Sequence, residues 1–306
     1  LAGTAIERLY PEQWEKCQLL LYHYRLAEER KKAIHCTIHA ADQAASVYAL
    51  EQALGFYRQA LDILKDLPES AQSYAETLSK MADLHQSRGA SDEALAEYQE
   101  ALRVGGESLP RTNRAELHRK IGHVCATKRR FEEAASSLSK ASQLLTEEDV
   151  EMSSVLTATA WLHWHKLEPQ AGMECAQRGL RLATIAGDLK RMAEVHDVIS
   201  NLCLLTGDHH ARVAAIREGL ALSERMGDLT RTLWGFWNLA FLYEDEGSYN
   251  AALESLDNVV RLAERTGFVS GTANAVRSRG EILYLKGEWG PALESLEQAE
   301  ALAQRV

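Results

Sequence analysis

Apolar residues along this chain recur with helical spacing, and the spacing itself repeats. Aligned on one small residue, Ala94, Ala134, Gly172, Arg212, Ala252 and Ala292 stand 38 to 40 residues apart. Twelve residues before them lie Ala82, Gly122, Ala160, Ser200, Ala240 and Gly280, and seven after lie Ala101, Ala141, Gly179, Gly219, Val259 and Ala299. Small side chains in such slots let two antiparallel helices approach closely, while Tyr98, Leu138, Ile216, Leu256 and Leu296 fill the remaining space. Gly89, Gly207, Gly247 and Gly287 fall between the halves of a unit, where a left-handed residue ends a helix and glycine adopts that conformation at least cost. Each unit therefore predicts a helical hairpin.

The joints between hairpins repeat as well: LATIAGDLKRMAE at 182–194, LSERMGDLTRTLW at 222–234, LAERTGFVSGTAN at 262–274. Asp188 and Asp228 are placed to cap the following helix. In the third copy Phe268 replaces the aspartate, which makes Ser270 or Thr272 the expected cap. The N-terminal part is less regular. Ala33 and Ala53 both fit the second-helix slot only 20 residues apart, so a helix over about 31–47 is shared by two hairpins. The stretch LKDLPESAQSY reads as a proline-containing loop. The expected organisation is an irregular three-helix segment over 1–66 and about six hairpins over 67–306, some fifteen helices in all.

Composition agrees with helix: 46% of the 306 residues are hydrophobic, and only five are proline. The net charge of −10 repels phosphate backbones, so nucleic acid is not an expected ligand. No apolar run has the length of a membrane span, and membrane association is not expected. Cys17, Cys36, Cys125, Cys175 and Cys203 are scattered and form no C-x-x-C pair, which suits reduced core residues in the cytoplasm. The opening LAGTAIERLY, without an initiator methionine, reads as part of a longer protein.

Catalytic motifs are missing from the sequence. There is no G-x-x-x-x-G-K-[ST] loop, no G-x-S-x-G elbow and no H-E-x-x-H. The glycines of KGEWG at 286–290 are turn glycines. His35 and His39 have a metal-compatible spacing beside Cys36, but a partly exposed helix face is the expected reading. His163 occupies a packing slot, and His209-His210 reads as a solvated turn. Glu147-Glu148-Asp149 precedes a helix, where negative charge is favoured; Glu244-Asp245-Glu246 ends one, where it is not. No enzyme, metal or cofactor is expected.

The small-residue framework, the turn glycine, and the aromatic at Phe131, Tyr249 or Trp289 resemble the tetratricopeptide repeat over nearly the whole chain. The resemblance implies an all-α, right-handed superhelical solenoid, here with a period near 40 rather than the family's 34. His23-Tyr24, Lys32-Ala33-Ile34 and Tyr57-Arg58-Gln59-Ala60-Leu61, within the first 65 residues or so, also resemble bacterial STAND proteins (signal-transduction ATPases with numerous domains) of the adenylate-cyclase or transcriptional-regulator type. They match the region just after the ATPase and winged-helix modules. That resemblance implies a C-terminal sensor whose partner is an ATPase module on its own polypeptide.

By analogy with the repeat family, the first helix of each hairpin lines a concave groove. The groove positions then include Trp161, Trp164 and His165 in one unit and Asp197 and Asn201 in the next. Trp234, Trp237, Phe241 and Glu244 follow, then Arg277 and Tyr284. Clustered aromatics give large contact area with few rotors, so these residues are the candidate site for a protein or peptide ligand. Burial of the tryptophans between units is the competing reading. Asp197, Glu244 and Asp245 favour a ligand with some positive charge. The basic set that captures acidic chaperone tails in this family is absent. The leading function is a non-enzymatic sensor and interaction domain; a stand-alone scaffold and a small-molecule receptor are the alternatives.

Overall fold

In a computed structural model, residues 30–46, 49–67, 70–266 and 268–304 are described. They form fourteen α-helices and, among the described residues, no strand. The chain divides into two compact units, Leu1–Glu151 and Met152–Val306. The first holds α1 (Arg30–Ser46), α2 (Leu50–Lys65), α3 (Ala71–Ser87), α4 (Ser91–Gly105), α5 (Arg111–Thr127) and α6 (Phe131–Gln143). The second holds α7 (Glu151–His165), α8 (Pro169–Ala186), α9 (Leu189–Thr206), α10 (His209–Met226), α11 (Leu229–Asp245), α12 (Tyr249–Thr266), α13 (Val269–Leu285) and α14 (Trp289–Ala303). Odd and even helices pair as hairpins, α7 and α8 meeting where the Ser153 hydroxyl donates to the Gly179 carbonyl, and each hairpin packs on the next within its unit. His23-Tyr24, Cys17, Val47 and the loop proline Pro68 lie outside the described residues.

The small-residue slots are the hairpin cores. Ala82, Ala94, Ala101, Ala134, Ala141, Ala160 and Ala252 are fully buried. Close approach is the reason for glycine at two equivalent places. A Cβ at Gly122 would stand 2.7 Å from Leu138 Cγ, and one at Gly280 would stand 2.8 Å from Leu296 Cγ and 3.1 Å from the Ala292 carbonyl. Arg212 departs from the small-residue rule and is half-buried.

The turns share one geometry. At Gly89, Gly207, Gly247 and Gly287 φ is 78°, 72°, 72° and 86°. The next amide donates back five residues, as in Ser248 N to Tyr243 O at 2.7 Å. Where the sequence has no glycine the geometry is kept: Arg129 (φ 58°) and Leu167 (φ 61°) take the left-handed conformation themselves. At the joints Asp188 and Asp228 cap α9 and α11, accepting from the amides of Arg191 and Arg231 at 3.0 and 2.9 Å. Asp208 caps α10 in the same way, from Ala211 N at 2.9 Å. His209-His210 is therefore not a turn but the first two residues of α10.

The expected cap of α13 needs correcting. Its N-cap residue is Phe268, with no side-chain cap bond, and the Thr272 hydroxyl instead donates to the Phe268 carbonyl. Tyr98 is also more than a space-filler. Its buried hydroxyl donates to Asp83 at 2.6 Å, and Lys120 reaches the same carboxylate from α5 at 2.8 Å. Forty-one residues earlier Tyr57 donates to Asp42 at 2.5 Å, and Lys80 donates to it at 2.7 Å. Each Tyr–Asp–Lys set ties one hairpin to the first helix of the next.

Candidate binding face

All eleven sequence-predicted site residues lie in the second unit, on α7, α9, α11 and α13. Their ring contacts fall into two sets. Trp161 and Trp164 meet edge to face at 5.5 Å, and Trp164 stands 4.8 Å from His165. Both tryptophans are half-buried and pack against Val195, Val198 and Leu202, which turns α7 onto α9. The Trp164 indole N–H donates to the Asn201 carbonyl at 3.1 Å, and the Asn201 amide donates to the Asp197 carbonyl. These residues join α7 to α9 and offer only their outer edges to a ligand.

Polar residues next to them are also engaged internally. Arg231, from α11, pairs with Asp197 and approaches Glu194 at 3.7 Å. Arg191, forty residues earlier, makes the analogous reach to Ser154 Oγ at 3.1 Å. Sequence reasoning missed these arginines, although their recurrence three residues after the capping aspartates was the available signal.

The second set is different. Trp234, Trp237 and Phe241 occupy successive turns of α11, with centroids 5.7 and 6.1 Å apart. Phe268, at the head of α13, extends the row at 6.5 Å from Trp234. Trp234 is 48% exposed and Phe241 44%, figures that exclude burial between hairpins for these two rings. Trp237 is half-buried, its inner edge on the core of Leu233, Ala240 and Leu256. The sequence placed Phe268 at a joint and not in the site. The ring fits there because position 271 is glycine, where a Cβ would stand 2.2 Å from Phe268 Cδ1.

Beyond Phe241 the face becomes acidic. Glu244 and Asp245 close α11, and Glu246 is its C-cap. Burial, then the like charges of Glu281 and Asp245, push the Glu244 carboxyl above the usual carboxylate range. Among the described residues Glu244 and Asp245 have no ion-pair partner, whereas Arg277 approaches Glu281 at 3.3 Å. Tyr284, one turn beyond Glu281 on α13, is 65% exposed.

Elsewhere, His35 and His39 are exposed while Cys36 is buried, so the three do not converge. His163 packs beside Gly172 as its slot implies but is half-buried rather than in the core, with Nδ1 2.7 Å from Glu168 Oε2. Among the described residues no cluster of three His, Cys, Asp or Glu could hold a metal, and no helix is long and apolar enough to cross a membrane.

Residues 228–305 match the tetratricopeptide-repeat family model. No curated protein sequence matches the chain. Among solved structures, a STAND protein with a tetratricopeptide repeat sensor from Pyrococcus horikoshii is similar at a TM-score of 0.58 and 15% identity, over 95% of this chain and 46% of that one. A Rap protein complexed with competence and sporulation factor is similar at 0.58 and 14% identity, over 89% of this chain and 77% of that one. A tetratricopeptide repeat protein from Parabacteroides merdae gives 0.52 and 16%, over 89% and 93%. The fold is thus a solenoid of tetratricopeptide-like hairpins.

Proposed function

We propose that this chain is a non-catalytic interaction domain whose second unit binds a protein or peptide segment across α11 and α13. The row Phe268–Trp234–Trp237–Phe241 carries the reading. Four aromatic rings in continuous contact, two of them close to half exposed, are costly in water and serve no hairpin core on that side. The rings lie on an open face rather than around a closed cavity, which favours a polymer over a small molecule. Fold likeness to a Rap protein complexed with a signalling factor and to a STAND protein with a repeat sensor is in keeping with ligand sensing. We further propose that the chain is the sensor region of a longer cytoplasmic switch that has an ATPase module, a reading the likeness to the STAND protein supports, with a stand-alone adaptor as the alternative.

Central aromatic anchors cost about 2 kcal/mol or more on truncation, so Trp237→Ala is expected to weaken partner binding more than about tenfold. Trp161→Ala, which removes an inter-helix contact, is expected to lower stability and to change affinity much less. Calorimetry on folded variants with a partner recovered by affinity capture checks this. Wild-type affinity in Trp237→Ala would move the site off α11.

A further inference from the structure

Resting on the reading of α11 and α13 as a binding face, we propose that its occupant is a peptide segment that places an arginine side chain at the acidic end of the aromatic row, against Trp237 and Phe241 and facing Glu244 and Asp245. Three observations converge on this. The first is position. Trp237, Phe241 and Glu244 follow one another at intervals of four and three residues on α11, so they share a face. Glu281 of α13 is near enough to act on Glu244 as a like charge.

The second is charge. Arg277 pairs with Glu281, which leaves Glu244 and Asp245 without an ion-pair partner among the described residues. Asp197, the other acid that the sequence assigned to this groove, is occupied by Arg231. The uncompensated negative charge is thus confined to one end of the row. It sits at the C-terminal turn of a helix, where the peptide dipoles disfavour it, so it does not serve the stability of α11.

The third is chemistry. The exposed ring faces are themselves electron-rich, and a planar guanidinium stacks on such faces while donating to carboxylates from its edge. An ammonium group meets only part of this requirement, and an acidic segment is repelled. Apolar residues beside the arginine would cover Trp234 and Phe268 at the other end of the row.

The test uses two blocked pentapeptides, acetyl-Ala-Leu-Arg-Leu-Ala-amide and its citrulline isostere, which has the same shape and no charge. Binding is read from the indole N–H resonances of Trp234 and Trp237 in the intact chain. At low salt the arginine peptide is expected to bind about tenfold more tightly than the citrulline peptide. Salt should narrow the difference. Glu244→Gln should remove most of it, weaken citrulline binding far less than arginine binding and not lower the melting temperature. Equal binding of the two peptides would overturn the arginine proposal and leave the aromatic face standing. Failure of both to move either indole signal would overturn the face as well. A marked loss of stability in Glu244→Gln would mean that the carboxylate belongs to the fold, and it too would overturn the proposal.

Discussion

The turn between α7 and α8 is made by Leu167 in a conformation that glycine occupies at the equivalent turns, and this gives a paired test of how the hairpins close. Leu167 has φ 61° and is 71% exposed; Gly247, two hairpins later, has φ 72° and nothing within 4 Å of a Cβ built on it. Side-chain contacts are therefore nearly irrelevant at both sites, and the backbone decides. Left-handed geometry costs an L residue about 1–2 kcal/mol. Glycine gives back about 0.5–1 kcal/mol through the greater freedom of its unfolded chain. The difference leaves Leu167→Gly stabilising by about 0.5 kcal/mol, after a few tenths for the little apolar cover lost, and Gly247→Ala destabilising by about 0.5–1 kcal/mol. In melting temperature each is a shift of about 1–3 °C, in opposite directions. Because repeat arrays need not unfold in one step, hydrogen exchange is the sharper assay. The amides of Glu168 and Ser248, bonded to the His163 and Tyr243 carbonyls at 2.9 and 2.7 Å, report each turn locally. If Leu167→Gly speeds exchange at Glu168, the account of the turns is wrong.

Removing the carboxylate that Tyr98 and Lys120 share leaves a buried hydroxyl without its acceptor, so Asp83→Ala is expected to cost about 1–3 kcal/mol in urea denaturation, with Asp83→Asn retaining most of the stability. Leu256 is 1% exposed and Leu296, at the same slot forty residues later, is 38% exposed. Leu256→Ala should cost about 2–5 kcal/mol by the same measurement and Leu296→Ala distinctly less.

The hairpin register was legible because it follows from what a backbone permits. Two helices can approach only where side chains are small, and a helix can turn sharply only where a left-handed residue is cheap. Ala82, Gly122 and Gly280 announce themselves on those grounds. Arg129 and Leu167 did not, since a residue that accepts strain leaves no compositional mark. In the site, aromatic content was legible but its division was not. Trp161 and Trp237 have the same spacing to their tryptophan neighbours, and only the packing of Val195, Val198 and Leu202 under the first pair separates them. Asp197 looked available because its partner, Arg231, is 34 residues away and on another helix. The Tyr–Asp–Lys sets were hidden for a similar reason, since Tyr98 satisfies the apolar pattern whatever its hydroxyl does.

Two changes at the third joint occur together, and they can be reversed together. Where the earlier copies read GDLKR and GDLTR, this one reads GFVSG: aspartate becomes Phe268, and arginine becomes Gly271. The backbone has not moved to suit. Phe268 has φ −82° and ψ 73°, close to −83° and 93° at Asp188 and to −77° and 89° at Asp228. A cap is therefore sterically available and unused. Restoring it with Phe268→Asp should return about 0.5–2 kcal/mol. Gly271→Arg should add about 0.8–1 kcal/mol of helix propensity once the ring no longer needs the space. Against this stands the buried part of Phe268, which is 39% exposed. Full burial of such a side chain is worth about 1.5–3 kcal/mol, so roughly 1–2 kcal/mol is lost. The terms nearly cancel, and the double variant should melt within a few degrees of the wild type. Affinity should not be conserved, because the aromatic row would then end at Trp234 and lose the ring that covers its far side. Stability unchanged with weaker binding of the arginine pentapeptide is the expected result. A loss of more than about 2 kcal/mol would show that Phe268 is held by packing. Unchanged stability and unchanged binding would show that the row stops short of α13.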